Sequence, residues 1–400
     1  MIYCTRCVYP QVSVNLELID GVCSACKTAE TMETPPRDFW ETRKLAFEKL
    51  VEEIKNNPNR NRNYDCIIPV SGGKDSYYQA HVIASQYNLK PLLVTYHGNN
   101  FLPEGDHNRD KMREVFDADH LVFGPSVSVL KKLNRIAFKK MGDMNWHAHC
   151  GIFTYPIRIS VSLNIPLIIW GEIAWDISGM FHADDFVEFS ARTRHEHSLR
   201  GFEWDSMLED SSDVLTEQDL LWAKYPTDRE ILDVGTKGIY IGNFFKWDPI
   251  AQTDEMIEKY DWKPAEKEFQ RTYRRISNLD DRYENGIHDL LKFVKFGYGR
   301  ASDHASKDIR AGLMSRAQGI EMVKKYDHVV SDDLNYWLNY VDMSEEDFWK
   351  TADSFRDTRV WWIENGEWCK DNIWGGSSNY GPVKLPESEW PKYQRKEKNH

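Results

Sequence analysis

Four cysteines near the start of the chain and one glycine-rich segment carry the residue types best suited to chemistry. Cys4-Thr5-Arg6-Cys7 and Cys23-Ser24-Ala25-Cys26 form two CxxC pairs, separated by residues 8–22. Each CxxC turn points two thiolates at one ion, and two such turns complete a tetrahedral four-sulfur shell. That shell leaves no open position, so Cys4, Cys7, Cys23 and Cys26 are expected to hold a structural zinc rather than a catalytic one. Gly21 suits the tight turn before the second pair. Disulfides and an iron–sulfur cluster are the competing readings. The opening Met1-Ile2-Tyr3-Cys4 has no basic stretch followed by an apolar run, which favours a reducing compartment, a cytoplasmic location and zinc. So short a segment has little core, so the metal would supply most of its folding energy.

The second segment is Pro69-Val70-Ser71-Gly72-Gly73-Lys74-Asp75-Ser76, between an apolar run and a helical pattern. Two glycines let a backbone approach an anion and aim successive N–H groups at it, and the helix start adds its positive dipole end. Lys74 supplies a point charge for phosphate oxygens, and the Ser71 and Ser76 hydroxyls add donors. Asp75 would repel phosphate, so it is assigned to Mg²⁺. The segment is not a Walker loop, which needs GxxxxGK followed by Ser or Thr. An ordinary Gly-Gly turn is the bland alternative.

The elements that must position these residues follow from hydrophobic periodicity. Trp40, Phe47, Leu50, Val51 and Ile54 recur at helical spacing over residues 37–55, and the polar run 56–63 reads as a boundary loop. Apolar strands are predicted at 64–70, 91–96, 120–123 and 166–170, with helices at 77–88, 106–116, 126–141 and 150–164 between them. Continuous apolar strands alternating with helices imply an α/β fold, a parallel sheet with helices on both faces, whose ligands sit at the carboxyl ends of the strands. Further on, a strand is predicted at 238–245 and helices at 249–260, 264–276 and 284–296. The expected organisation is a ribbon at 1–30, a connecting helix and loop at 31–63, a nucleotide domain at 64–248, a mainly helical substrate region at 249–335 and an aromatic-rich extension at 336–400. Trp337, Trp349, Trp361, Trp362, Trp368, Trp374 and Trp390 fall in that extension and read as core before sugar-stacking.

Composition sets outer limits. The 400 residues are 41% hydrophobic and 28% charged, which excludes wholesale disorder, and no stretch approaches the roughly 18 apolar residues of a membrane span. Lys plus Arg number 51 against 63 Asp plus Glu, a net charge of −12, so no nucleic-acid partner is expected.

Ser71-Gly72-Gly73-Lys74-Asp75-Ser76 after a strand resembles the PP-loop of the ATP pyrophosphatases, whose members include asparagine synthetase, GMP synthetase and tRNA thiolases. The opening MIYCTRCVYP, the second CxxC and VSGGKDS near residue 70 together resemble the N-acetyl sugar amidotransferase family, which builds acetamidino sugars for bacterial surface polysaccharides. Lys295-Phe296-Gly297-Tyr298-Gly299-Arg300, Asp308-Ile309-Arg310 and Ser315-Arg316 resemble that family's later block, so the likeness spans residues 1 to 330. It implies an adenine nucleotide alpha hydrolase-like fold and an enzyme using ATP, Mg²⁺ and structural Zn²⁺. Its reaction would adenylate the acetamido oxygen of a nucleotide-linked N-acetyl sugar and replace it with ammonia. It also implies a separate class I glutaminase as partner. In accord, residue 2 is Ile, not the cysteine of a class II glutaminase, and Cys150 lacks a GxCxG turn.

Family and position together assign several other residues. Glu172 ends the strand at 166–170, placed for Mg²⁺ or the substrate amide, with a solvated strand-end carboxylate as the alternative. Tyr96 ends the second strand, the region that lies over adenine and ribose in PP-loop enzymes, so backbone contacts are expected there. Lys295 and Arg300 flank glycines and are assigned to phosphate or diphosphate; for Arg310 and Arg316 a solvated helix face is an equal reading. His147, His149 and Cys150 suggest a metal or thiol site, but a packed cysteine with polar neighbours is the favoured reading, and Cys66 and Cys369 read as core. A PP-loop tRNA thiolase and a non-catalytic nucleotide-binding zinc protein are the alternative functions; the first would need a basic face and cysteines near the site.

Overall fold

The structure is a computed structural model that describes residues 1–13, 16–33, 35–58, 61–171, 194, 199–208 and 214–395. A two-stranded hairpin, β1 (Leu18–Ile19) and β2 (Val22–Cys23), leads into α1 (Ser24–Glu33) and α2 (Phe39–Asn56). In α2 Phe47, Val51 and Ile54 of the predicted stripe are buried, joined by Arg43, while Trp40 and Leu50 are half-buried. Then β3 (Cys66–Pro69), α3 (Lys74–Ala80, continued by a π-helical stretch to Gln86), β4 (Pro91–Tyr96), α4 (Pro103–Val115), β5 (Asp119–Phe123), α5 (Val127–Met141), α6 (Trp146–Leu163) and β6 (Leu167–Trp170) follow. Short α7 (Glu217–Leu220) and α8 (Asp228–Val234) precede β7 (Lys237–Tyr240).

The five strands pair in parallel in the order β5-β4-β3-β6-β7. This is a doubly wound sheet that changes direction beside β3, so the crevice at the carboxyl end of β3 is the ligand position. Alternate residues enter opposite cores, as a period of two requires. Cys66, Ile68, Leu93, Leu167 and Ile169 join Phe47, Tyr77, Met112 and Met256 on one face, and Ile67, Leu92, Val94, Ile168 and Trp170 join Ile157 on the other. Every residue of β4 and β6 is buried, which explains their unbroken apolar runs.

The rest of the chain is mainly helical: α9 (Pro249–Tyr260), α10 (Asn285–Phe296), α11 (Arg300–Arg310), α12 (Arg316–Tyr326), α13 (Asp333–Val341) and α14 (Glu345–Ser354). Helix α5 reaches into this region, where Phe138 packs with Leu290, Trp337 and Phe348. An antiparallel sheet of β8 (Trp362–Glu364), β9 (Glu367–Asp371) and β10 (Ser377–Pro382) closes it.

Several expectations need correction. Residues 264–276 form no helix but an irregular segment, held by arginine contacts to backbone: Arg271 Nη2 donates to the distant Asp327 O at 2.6 Å, and Arg275 Nε to Ala265 O within the segment at 2.7 Å. The strand predicted over 238–245 stops at Tyr240, and the helix predicted from residue 150 starts at Trp146. No helix among the described residues is long and apolar enough to cross a membrane.

Candidate nucleotide and metal sites

The glycine-rich segment runs from the carboxyl end of β3 into the first turn of α3. Gly72 has φ +80°, and a Cβ on it would lie 2.5 Å from the backbone nitrogen of Arg109 in α4, so glycine is demanded twice over. The loop is braced from inside: Ser71 N–H donates to Ser76 Oγ at 3.1 Å and Gly73 N–H to Ser71 Oγ at 3.4 Å. It is braced from outside by Trp262, whose Nε1 donates to Gly72 O at 2.9 Å. Behind it, Thr95 Oγ1 donates to Val70 O at 2.5 Å and meets His120 Nε2 at 2.8 Å. Lys74 Nζ pairs with Asp75 Oδ2 at 2.5 Å at the mouth of the loop.

The helical region contributes a second wall. Asp280, half-buried, lies beside Ser71, and its carboxyl is pushed above the usual range by burial and by the Asp75 charge, against the pull of the Ser71 hydroxyl and Arg300. Arg300 Nε donates to the buried Asp289 Oδ1 at 2.9 Å; burial opposes its charge, yet Asp289 and Asp303 hold the guanidinium above its ordinary range. Ser71, Asp75, Asp280 and Arg300 therefore share one electrostatic neighbourhood. Lys295 lies elsewhere: its Nζ donates to Met141 O at 3.2 Å, and burial lowers its ammonium while Asp143 opposes the shift. Glu172 lies outside the described residues.

Tyr96 turns its ring away from the crevice onto α6. A Cβ on Gly151 would come within 2.3 Å of that ring, and the hydroxyl meets His147 Nδ1 at 3.0 Å. Burial first, then the Cys150 and Glu284 charges, hold its phenol well above the usual range. His147 is fully buried, with Nε2 at 2.6 Å from Glu284 Oε1. Cys150 packs against Thr154 Oγ1 (3.7 Å) and Ala223 O (3.6 Å), and burial pushes its thiol up to about 12, as befits a core cysteine. Cys66 and Cys369 are buried as well.

The four N-terminal sulfurs lie within 4.8 Å of one another, all buried and none in a disulfide. Cys4 and Cys26 are 4.0 Å apart and Cys7 and Cys23 3.6 Å, close to the roughly 3.8 Å edge of a tetrahedron of 2.3 Å zinc–sulfur bonds. Backbone N–H groups of Arg6, Cys7 and Cys23 point at Cys4 Sγ at 3.3–3.4 Å, an arrangement that stabilises thiolates. The donor set fits a tetrahedral metal. Arg316 is bound to this knuckle, donating to Cys7 O and Cys4 O at 3.1 Å each, and Tyr9 OH donates to Asp303 Oδ1 at 3.1 Å beneath the Arg310 guanidinium. The ribbon thus sits on α11 and α12, and Arg316 serves as a strut between them.

Sequence reasoning did not find Trp262, Asp280, Asp281 or Glu284. The acidic run Asp280-Asp281-Arg282-Tyr283-Glu284 directly before α10 was the available signal, since carboxylates gather at helix starts. Its placement beside Ser71 depends on contacts two hundred residues apart.

Residues 255–372 match the family model of "LPS biosynthesis protein WbpG-like, C-terminal domain". No curated protein sequence matches the chain. Among solved structures, the U34-tRNA thiolase NcsA from Methanococcus maripaludis, with its 4Fe-4S cluster, is similar over 78% of this chain and 86% of its own, at 12% identity and a TM-score of 0.30. The NMN synthetase from Francisella tularensis is similar over 59% of this chain and 99% of its own, at 12% identity and a TM-score of 0.29. Likenesses this distant carry no argument by themselves.

Proposed function

We propose, taking as premise that residues 255–372 match a WbpG-like C-terminal domain of LPS biosynthesis, that the chain is the synthetase component of an ATP-dependent sugar amidotransferase. The acetamido oxygen of a nucleotide-linked N-acetyl sugar attacks the α-phosphorus of ATP and pyrophosphate leaves. Ammonia then attacks the adenylated imidate carbon, AMP departs with the oxygen, and an acetamidino sugar remains. An amide oxygen is a poor leaving group, and its AMP ester is a good one.

The observation that carries this reading is the phosphate loop at the switch point of the sheet, held by Trp262 and faced by Asp280, both from the WbpG-like segment. Nucleotide and substrate regions thereby meet over Ser71–Ser76. Lys74 and the N–H groups of Gly72 and Gly73 stabilise charge that develops on phosphate, and Ser71 and Ser76 orient it. The Asp75 charge raises the cost of ionising Asp280, so the pair fits a Mg²⁺ ion, which when bound would neutralise phosphate oxygens. The Cys4, Cys7, Cys23 and Cys26 set is assigned to structural Zn²⁺. We place the enzyme in the cytoplasm and its nitrogen supply in a separate class I glutaminase.

Pyrophosphate release from ATP, measured with and without a panel of UDP-N-acetyl sugars, tests the reading. Release should need one of the sugars, and amidine should form with ammonium salt but not with glutamine until a glutaminase is added. Release indifferent to every sugar would refute it.

A further inference from the structure

Glu284 precedes α10 and has no exposed surface. Its Oε1 is occupied, accepting from Asn134 Nδ2 at 2.9 Å and facing His147 Nε2 at 2.6 Å. Its Oε2 is buried and has no hydrogen-bond partner. A carboxylate oxygen left so costs free energy unless something donates to it, which makes the atom a pointer to a ligand.

The surroundings specify that ligand's charge. Asp281 Oδ1 accepts from Glu284 N–H at 2.8 Å and from Asn100 Nδ2 at 3.2 Å. Burial first, then the Glu284 and Asp280 charges, hold the Asp281 carboxyl well above its usual range. Among the described residues no lysine or arginine pairs with Asp281 or Glu284, and the His147 ring is the basic group against Glu284. Glu284 is fully enclosed, so an occupant at Oε2 has to be small. Two clustered carboxylates and one free oxygen favour a small cation that donates hydrogen bonds.

Asp280, the sequence neighbour of Asp281, lies beside Ser71 and Asp75 of the phosphate loop. We propose that Glu284 Oε2, together with Asp281, is the docking point for the ammonium that supplies the nitrogen. Its role, though not its place, rests on the reaction proposed above. One N–H bond of the ammonium breaks and its proton passes to the Glu284 carboxylate. The freed lone pair forms the C–N bond at the imidate carbon, the C–O bond breaks, and its electron pair leaves on the phosphate of AMP.

The full chain is assayed with ammonium chloride at saturating ATP and the sugar nucleotide that wild type accepts. Glu284→Gln should raise the ammonium KM about tenfold or more, the value of one charge-assisted hydrogen bond, while the KM for ATP stays within about twofold. Asp281→Asn, at a half-buried position that folding tolerates better, should move the ammonium KM in the same direction. An unchanged ammonium KM in both variants overturns the site. A second arm needs no turnover: wild type should melt higher in ammonium chloride than in sodium chloride at equal ionic strength, and Glu284→Gln should lose that difference. Equal melting in both salts overturns the site, whereas ammonium-specific stabilisation with no sugar-dependent pyrophosphate release leaves the site and sinks the reaction.

Discussion

Gly72→Ala is the sharpest test of the loop. At φ +80° an L-residue costs about 1–2 kcal/mol. The new methyl would also meet Arg109 N, Cα and Cβ at 2.5, 2.7 and 2.9 Å. Those atoms belong to α4, which is tied to other elements next to them: Asn108 O accepts from Tyr77 OH at 2.6 Å and Asn108 Nδ2 donates to Lys263 O at 2.8 Å, so the helix cannot yield cheaply. Overpacking of this kind adds about 1–3 kcal/mol, for a total near 2–5 kcal/mol concentrated on the loop. Gly73→Ala is the internal control: its φ is −66°, and its Cβ would meet only Ser71 Oγ at 3.3 Å, so it should cost well under about 1 kcal/mol. Hydrogen exchange at the amides of residues 70–77 should accelerate on the order of a hundredfold in Gly72→Ala and little in Gly73→Ala. ATP-dependent pyrophosphate release should fall in parallel. Equal exchange in the two variants would refute the argument that α4 fixes the shape of the loop.

Metal analysis should return about one zinc per chain, and Cys4→Ser or Cys23→Ser should lose it and loosen the ribbon from α11 and α12; a fully folded metal-free preparation would contradict the assignment. Lys74→Ala should abolish pyrophosphate release with an unchanged melting temperature, because among the described residues the lysine pairs only with its neighbour Asp75 at the loop mouth. Lys370, buried between the Phe293 and Tyr380 rings, has its ammonium pushed down to about 8 by burial, while the unfolded chain keeps that proton up to about 10.4. The unfolded state therefore binds more protons between those values, so stability should rise as pH climbs from about 8 to 10.4 and be insensitive to this group below about 8. Urea midpoints across that window should lose the rise in Lys370→Met.

Local physics was legible in the sequence and long-range geometry was not. The strand at 91–96 and the helix at 249–260 were readable to the residue, because burial on both faces or a clean amphipathic stripe writes itself into consecutive positions. The CxxC pairs were readable because ligand spacing is local. The segment at 264–276 shows helical spacing and begins with a proline, yet Arg271 finds better partners in the distant carbonyls of Asp327 and Val329, and tertiary contacts override the pattern. The tryptophan-rich extension reads as core, and Trp361 and Trp368 do sandwich Arg356 at 4.3 and 4.6 Å from its guanidinium. Its sheet depends on Asn365-Gly366, both at positive φ, a hairpin signal that aromatic content conceals. In the candidate site, Ser71–Ser76 was visible, whereas Asp280 and Glu284 acquire meaning only once the chain returns to the loop.

The indole of Trp262 on Gly72 O makes the two halves of the chain poor candidates for shuffling. A nucleotide unit cut after β7 would keep its strands and glycines but lose the donor that caps its loop and the carboxylate that faces Ser71. Transplanting a foreign segment in place of residues 255–372 would remove both groups at once. Under the proposed function, specificity in such a scaffold would change by substitution around a fixed tryptophan and aspartate, not by exchange of modules, because the segment that would recognise the sugar also supplies the groups that shape the loop.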